Sequence, residues 1–138
     1  MARLFFARYE ASELGSTSIQ TEHVLIGLLR ECYSGRDATR TANRILALSD
    51  LSPEDIRQEI ENRVLIQTKQ LTSIEIHFSD QTERVLQFAA EEADQLWRQQ
   101  IGVEHLLLGL LREDQSVAAL VLTVGRLTLS AAKLEALA

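Results

Sequence analysis

Residues 21–31, TEHVLIGLLRE, and residues 103–113, VEHLLLGLLRE, are near copies of one another, and this duplication limits what the chain can fold into more than any other feature. The likeness runs upstream without a gap at an offset of 82: Leu4, Phe6, Ala7, Glu10, Ala11, Leu14 and Ile19 recur as Leu86, Phe88, Ala89, Glu92, Ala93, Leu96 and Ile101. From Leu4–Glu31 to Leu86–Glu113, 15 of 28 positions are identical. The chain is a tandem repeat, and each half is expected to build the same unit.

The repeated unit reads as helix. Leu4, Ala7, Ala11 and Leu14 fall on one helical face, and Val24, Leu25, Leu28 and Leu29 on the next. Gly15 to Ser18 separate the two segments, and Thr21 suits an N-cap with Glu22 in the first turn. Ala42, Ile45 and Leu46 predict a third helix after a polar loop, Tyr33 to Asp37. Ser52-Pro53-Glu54-Asp55 predicts the start of a fourth, ending near Gln67. Residues 68–78 leave the helical period: Ile74, Ile76 and Phe78 alternate with polar residues, as in an extended linker or short strand. Ser79 then caps a helix reaching Trp97, and further helices are predicted near 103–113, near 116–124 and after Ser130. The expected fold is all-α: an eight-helix, pseudo-twofold tandem repeat of two four-helix units. Repeat one is 1–67, the linker 68–78 and repeat two 79–138. Neither half can bury its apolar face alone, so the halves pack together.

Composition narrows the function. A net charge of −6 with no visible Lys/Arg cluster argues against nucleic acid and anionic membranes as partners. The acidic stretches Glu54–Glu61 and Glu91–Asp94 have helical spacing and read as solvated faces. Apolar runs are too short to span a membrane, and MARLFFARYE lacks the h-region of a signal peptide. Cys32 is the only cysteine, so an intrachain disulfide is impossible and a reducing cytoplasm is expected.

The residues with chemical potential have structural readings beside the functional ones. His23 and His105 each follow a glutamate at a helix start and read as buried rings that fix the local loop. A metal site needs three or four converging ligands, and His23, His77, His105 and Cys32 have no such spacing. No nucleophile–base pair and no GxxxxGK[ST] phosphate loop occur, so no cofactor and no enzymatic activity are expected. Gly27 and Gly109 lie mid-helix, where glycine costs about 1 kcal/mol, and both mark close helix contacts. Trp97 stands where repeat one has Gly15, either as an exposed anchor or packed under the linker.

Two copies of a four-helix unit centred on an EH-hydrophobic-GLLRE block resemble the N-terminal double-repeat (Clp repeat) domain of the Clp unfoldases, ClpA/ClpC type. The resemblance implies a non-catalytic interaction domain of an ATP-dependent protease system. Its partners would be adaptor or substrate proteins, with a Clp ATPase ring and peptidase if the chain belongs to a larger protein. The alternatives are a stand-alone Clp-repeat protein that modulates such a machine, or a small helical ligand-binding protein. The resemblance also implies a phosphoarginine-type site with Glu22 and Glu104 on the guanidinium. Ser79 would hold the helix start that supplies phosphate donors in repeat two. Each glutamate is expected to stand exposed. The chain departs from the family pattern in three places: a capped segment like Phe78–Thr82 is missing before repeat one, the loop after Glu31 is longer, and Val103 replaces the threonine found at Thr21.

Overall fold

The computed structural model describes residues 18–63 and 77–137. Seven α-helices lie within them: α1 (Thr21–Tyr33), α2 (Arg40–Leu46), α3 (Pro53–Arg63), α4 (Asp80–Gln95), α5 (Val103–Arg112), α6 (Val117–Val124) and α7 (Leu129–Leu137). The chain is thus mostly helical, as the periodicity predicts. A 3-10 turn, Asp37–Thr39, precedes α2. The first expected helix, carrying Leu4 to Leu14, the end of the fourth helix and most of the linker lie outside the described residues.

Helix starts follow local chemistry. Ser52 and Asp55 form a reciprocal capping box around Pro53: the Asp55 N–H donates to Ser52 Oγ at 3.1 Å and the Ser52 N–H to Asp55 Oδ2 at 3.2 Å. Ser79 caps α4 by accepting the Thr82 N–H at 3.2 Å, and Ser116 caps α6 by accepting the Ala119 N–H at 3.2 Å. Thr21 is not a cap. The N-cap of α1 is Gln20, and Thr21 is the first helical residue. The Thr21 hydroxyl instead accepts the Ala118 N–H from the other repeat, at 3.4 Å.

Two short strands, Ser18–Ile19 (β1) and His77–Phe78 (β2), pair in parallel with Ser18 opposite His77 and Ile19 opposite Phe78. The Ser79 N–H extends the ladder by donating to the Ile19 carbonyl at 3.0 Å. The extended reading of the linker is met at its last two residues.

The core is built around α1 and α5. In α5, Val103 and every residue from His105 to Leu111 are buried; in α1, burial runs from Thr21 to Leu29. Each fully buried Leu or Ile stabilises the fold by about 1.5–3 kcal/mol through transfer from water. The other helices wrap this pair, and contacts cross between repeats in a reciprocal pattern: α2 packs on α7 and α3 on α6, and likewise α1 on α6 and α2 on α5. Arg44 of α2 also donates to Glu135 of α7 at 3.1 Å.

Among the described residues the most extensive helix contact is α4 on α5. A Cβ on Gly109 would lie 2.6 Å from the Val85 carbonyl oxygen and 3.1 Å from the Ala89 nitrogen. Both obstacles are backbone and cannot rotate away, so the mid-helix glycine is there for close approach. Trp97 closes α4 in a Schellman turn with φ 59°, the Arg98 N–H donating to the Ala93 carbonyl at 2.9 Å. Glycine is preferred at that position, and the side chain of Trp97 is almost wholly exposed.

Gly109→Ala should therefore cost stability even though alanine favours helix by about 1 kcal/mol. The expected net loss in urea melts is about 1–3 kcal/mol from overpacking. A variant as stable as the parent would show that α4 and α5 are not in backbone contact there.

Candidate functional site

The glutamate–histidine pairs occupy equivalent places at the starts of α1 and α5. His23 Nδ1 accepts the Gln20 N–H at 2.8 Å, and His105 Nδ1 accepts the Gly102 N–H at 2.7 Å. Each imidazole takes the part that Glu or Gln plays at the third position of a capping box. The geometry requires Nδ1 unprotonated and the proton on Nε2. Both rings are buried, as expected for residues that fix a loop to a helix. His23 Nε2 has no hydrogen-bond partner among the described residues. Burial pushes the His23 pKa down to about 4.

The glutamates do not stand exposed. Glu22 keeps only 7% of its surface. Burial raises its pKa, against the opposing pull of its own backbone N–H and the Thr21 hydroxyl. The cause is tertiary, because the start of α1 abuts the start of α6 through the Thr21–Ala118 contact. The Glu104 side chain is half-buried. Oε1 lies 3.8 Å from His105 Nε2, and Oε2 is buried with no hydrogen-bond partner among the described residues. The Glu104 carboxylate also folds over its own N-cap, so a Cβ on Gly102 would collide with it. Ser79 sits at the α4 start with its hydroxyl 2.9 Å from that of Thr82.

A second acidic group also departs from expectation. Glu92, read from sequence as part of a solvated face, is buried between Arg112 at 3.5 Å and Lys133 at 3.4 Å. Arg112 bridges it to Glu91 at 3.1 Å and lies over the Phe88 ring, 4.2 Å from the centroid. The cluster welds α4, α5 and α7 together, and every charge in it has a counter-charge. Cys32 is buried. Its thiol is pushed up to about 11 by burial, and then by the charges of Glu31 and Glu104, so it stays neutral. Among the described residues no group of three or more His, Cys, Asp or Glu converges to hold a metal ion. No single described helix is long and apolar enough to cross a membrane.

Two features escaped the sequence reading. Tyr33, the last residue of α1, is 82% exposed and lines a cleft. Arg36, Arg40 and Arg44, four residues apart, line one adjoining depression. The spacing was visible, but the 3-10 turn that brings Arg36 alongside α2 was not.

Comparison with known proteins places this geometry. The Clp repeat (R) N-terminal domain family matches residues 4–124. The chain is 39% identical over 119 residues to the chloroplastic ClpA homologue, an ATP-dependent Clp protease ATP-binding subunit, of Brassica napus. That match spans 86% of this chain and 13% of the relative. It is 37% identical over 134 residues to ClpC/MecB, a negative regulator of genetic competence, of Bacillus subtilis, covering 97% of this chain and 16% of the relative. It therefore spans less than a fifth of the length of these relatives. In fold it is similar to the N-terminal domain of ClpD from Arabidopsis thaliana, with a TM-score of 0.70 at 24% identity, over 99% of this chain and 88% of that one. The Hsp104 N-terminal domain from Candida albicans superposes with a TM-score of 0.68 at 19% identity, over 98% and 84% of the two chains.

The histidine geometry has a pH consequence. Unfolded, His23 protonates near 6.5; folded, it resists until about 4. This contribution is therefore full above about pH 6.5 and falls by about 3 kcal/mol as pH drops toward 4. Glu22, with its pKa raised, has the opposite sign: its ionisation costs stability as pH rises past 4.5. His23→Gln can still accept the Gln20 N–H but cannot titrate. Urea melts from pH 7 to 4 should show the parent losing stability relative to this variant. Parallel curves would refute the buried, neutral state of His23.

Proposed function

Since the chain belongs to the Clp repeat N-terminal domain family, we propose that it is a non-catalytic protein-interaction domain of a Clp ATP-dependent unfoldase system, docking adaptors or substrates. The observation that carries this reading is the family match over residues 4–124 in a sequence that holds no phosphate-binding loop. ATP turnover would then belong to another part of the machine. Small repeats that expose aromatic and charged side chains around a rigid helical core suit docking, because binding does not require the core to move.

The same reading extends to architecture. We take the chain as an eight-helix pseudo-dimer, with repeat one over 1–67, a linker over 68–78 and repeat two over 79–138. The reciprocal contacts of α2 with α7 and α3 with α6 support the twofold relation. So do the matching histidine caps of α1 and α5.

Two measurements test the function. The purified 138-residue chain should show no ATP turnover that scales with its concentration. As immobilised bait it should retain a limited, saturable set of proteins from a cell lysate without ATP. Turnover, or failure to retain any protein above a bare-matrix control, would defeat the reading.

Phosphoarginine binding at Glu22, Glu104 and Ser79 is expected to be weak or absent. A guanidinium needs a reachable carboxylate, and Glu22 is buried. Glu104 retains some access, while Asp80 and Glu83 in the first turn of α4 oppose the phosphate near Ser79. In calorimetric titrations any binding should vanish in Glu104→Ala before Glu22→Ala. Tight binding that survives both substitutions would place the site elsewhere.

A further inference from the structure

Tyr33 closes α1 beside a cleft of about 490 Å³ walled by Leu29, Cys32, Leu46, Leu51 and Pro53. Asn43 and Ala47 line both this cleft and a neighbouring depression of about 390 Å³, which holds Arg36, Arg40 and Arg44. An apolar recess with an exposed aromatic rim thus runs directly into a cationic one. Arg36 and Arg40 keep about 70% of their side-chain surface exposed. Their partners are weak: Glu31 at 3.9 Å from Arg36, and the exposed Asp37 at 3.0 Å from Arg40. Such surface pairs contribute about 0–1 kcal/mol and yield readily to a better-placed carboxylate. Arg44 is held by Glu135 at 3.1 Å and forms the fixed wall.

The second repeat shows that the fold does not demand this surface. At the offset of 82, Tyr33 corresponds to Gln115, and the connection after α5 is Glu113-Asp114-Gln115-Ser116, short and acidic. The same helical unit therefore folds without the aromatic rim and without the arginines. Residues 30–44 contain four Arg (30, 36, 40, 44) against two acids (Glu31, Asp37), a local charge of +2 in a chain of net −6.

We propose that this surface of α1, the 3-10 turn and α2 is a docking groove for an acidic protein segment that carries one large apolar side chain. The proposal rests on the protein-docking reading above and gives it a place and a chemistry. The apolar side chain enters beside Tyr33, a rigid amphipathic anchor. Flanking carboxylates take the Arg36 and Arg40 guanidinium groups in paired hydrogen bonds. A protein segment fits better than nucleic acid because half the groove is apolar and the chain's net charge repels a long polyanion.

The test uses the whole chain and a short fluorescein-labelled peptide of Glu and Asp with one central Phe, read by fluorescence anisotropy. The peptide should bind saturably and weaken with added salt. Replacing its Phe by Ser, or its acids by Gln, should weaken binding about tenfold or more. In the chain, Arg36→Glu with Arg40→Glu, and separately Tyr33→Ser, should do the same with unchanged thermal unfolding, while Trp97→Ser should have no effect. No binding, or binding unaltered in the Arg36, Arg40 and Tyr33 variants, overturns the proposal. So does a single-stranded oligonucleotide that competes at equal affinity. Lysate capture separates the two claims. If the doubly substituted arginine variant retains the same proteins as the parent, docking stands and this groove falls. If the parent retains nothing, docking itself falls.

Discussion

Two helices with almost no face left for water impose the rest of this structure. Val103 and all of His105–Leu111 in α5, and all of Thr21–Leu29 in α1, are buried, so each helix must be wrapped on every side. The cover comes from both halves of the sequence: α6 packs on α1, and α2 on α5. The cost appears at the helix starts, where backbone N–H groups that lack an intrahelical partner are partly buried. A buried imidazole answers it at each start by accepting the N-cap N–H, at 2.8 Å in one repeat and 2.7 Å in the other. A carboxylate in the same role would have to be desolvated as an ion, whereas neutral histidine is not. Gly109 answers a second demand by letting α4 approach α5 to backbone contact.

The joint between repeats is built from mixed materials. Helices pack across it: α2 on α7, α3 on α6, and α1 on both α5 and α6. The polar links fix the register: Thr21 Oγ1 accepts from Ala118, the Gly125 carbonyl accepts from the Asp50 N–H at 2.8 Å, and Arg44 pairs with Glu135. None of these polar links is worth more than about 1–2 kcal/mol alone. Each ties a residue of one repeat to a particular partner in the other.

What the sequence made legible, and what it did not, divides along the range of the interaction. The helix start at Ser52–Asp55, the cap at Ser79 and the buried histidines depend on residues three or four apart, and all were readable. The close approach at Gly109 was also readable, because a helix-weakening residue that recurs in both copies of an apolar run points to a packing demand. The misreadings are long-range. Thr21 looked like a cap because its partner, Ala118, lies 97 residues away. Glu22 and Glu92 looked solvated because helical spacing gives a face but not what lies against it. Arg36 was separated from Arg40 and Arg44 by a turn whose 3-10 geometry places all three together.

The repeats differ most where the core does not hold them, and that bears on where function resides. Identity concentrates in the EH-hydrophobic-GLLRE block, and the structure accounts for it by packing: histidines cap, leucines fill, and the glycine at 109 permits contact. Residues so fully used by the fold have little surface left to meet a partner. Side chains that the fold does not need lie elsewhere, in the longer loop after α1 with Tyr33, Arg36 and Arg40, and in Trp97 at a turn that glycine would serve better. An exposed tryptophan at positive φ costs stability and gains nothing from packing, so its cause is not the fold. Duplication fixes a common scaffold; on the docking reading proposed above, partner choice would fall to the positions where the two copies are free to differ.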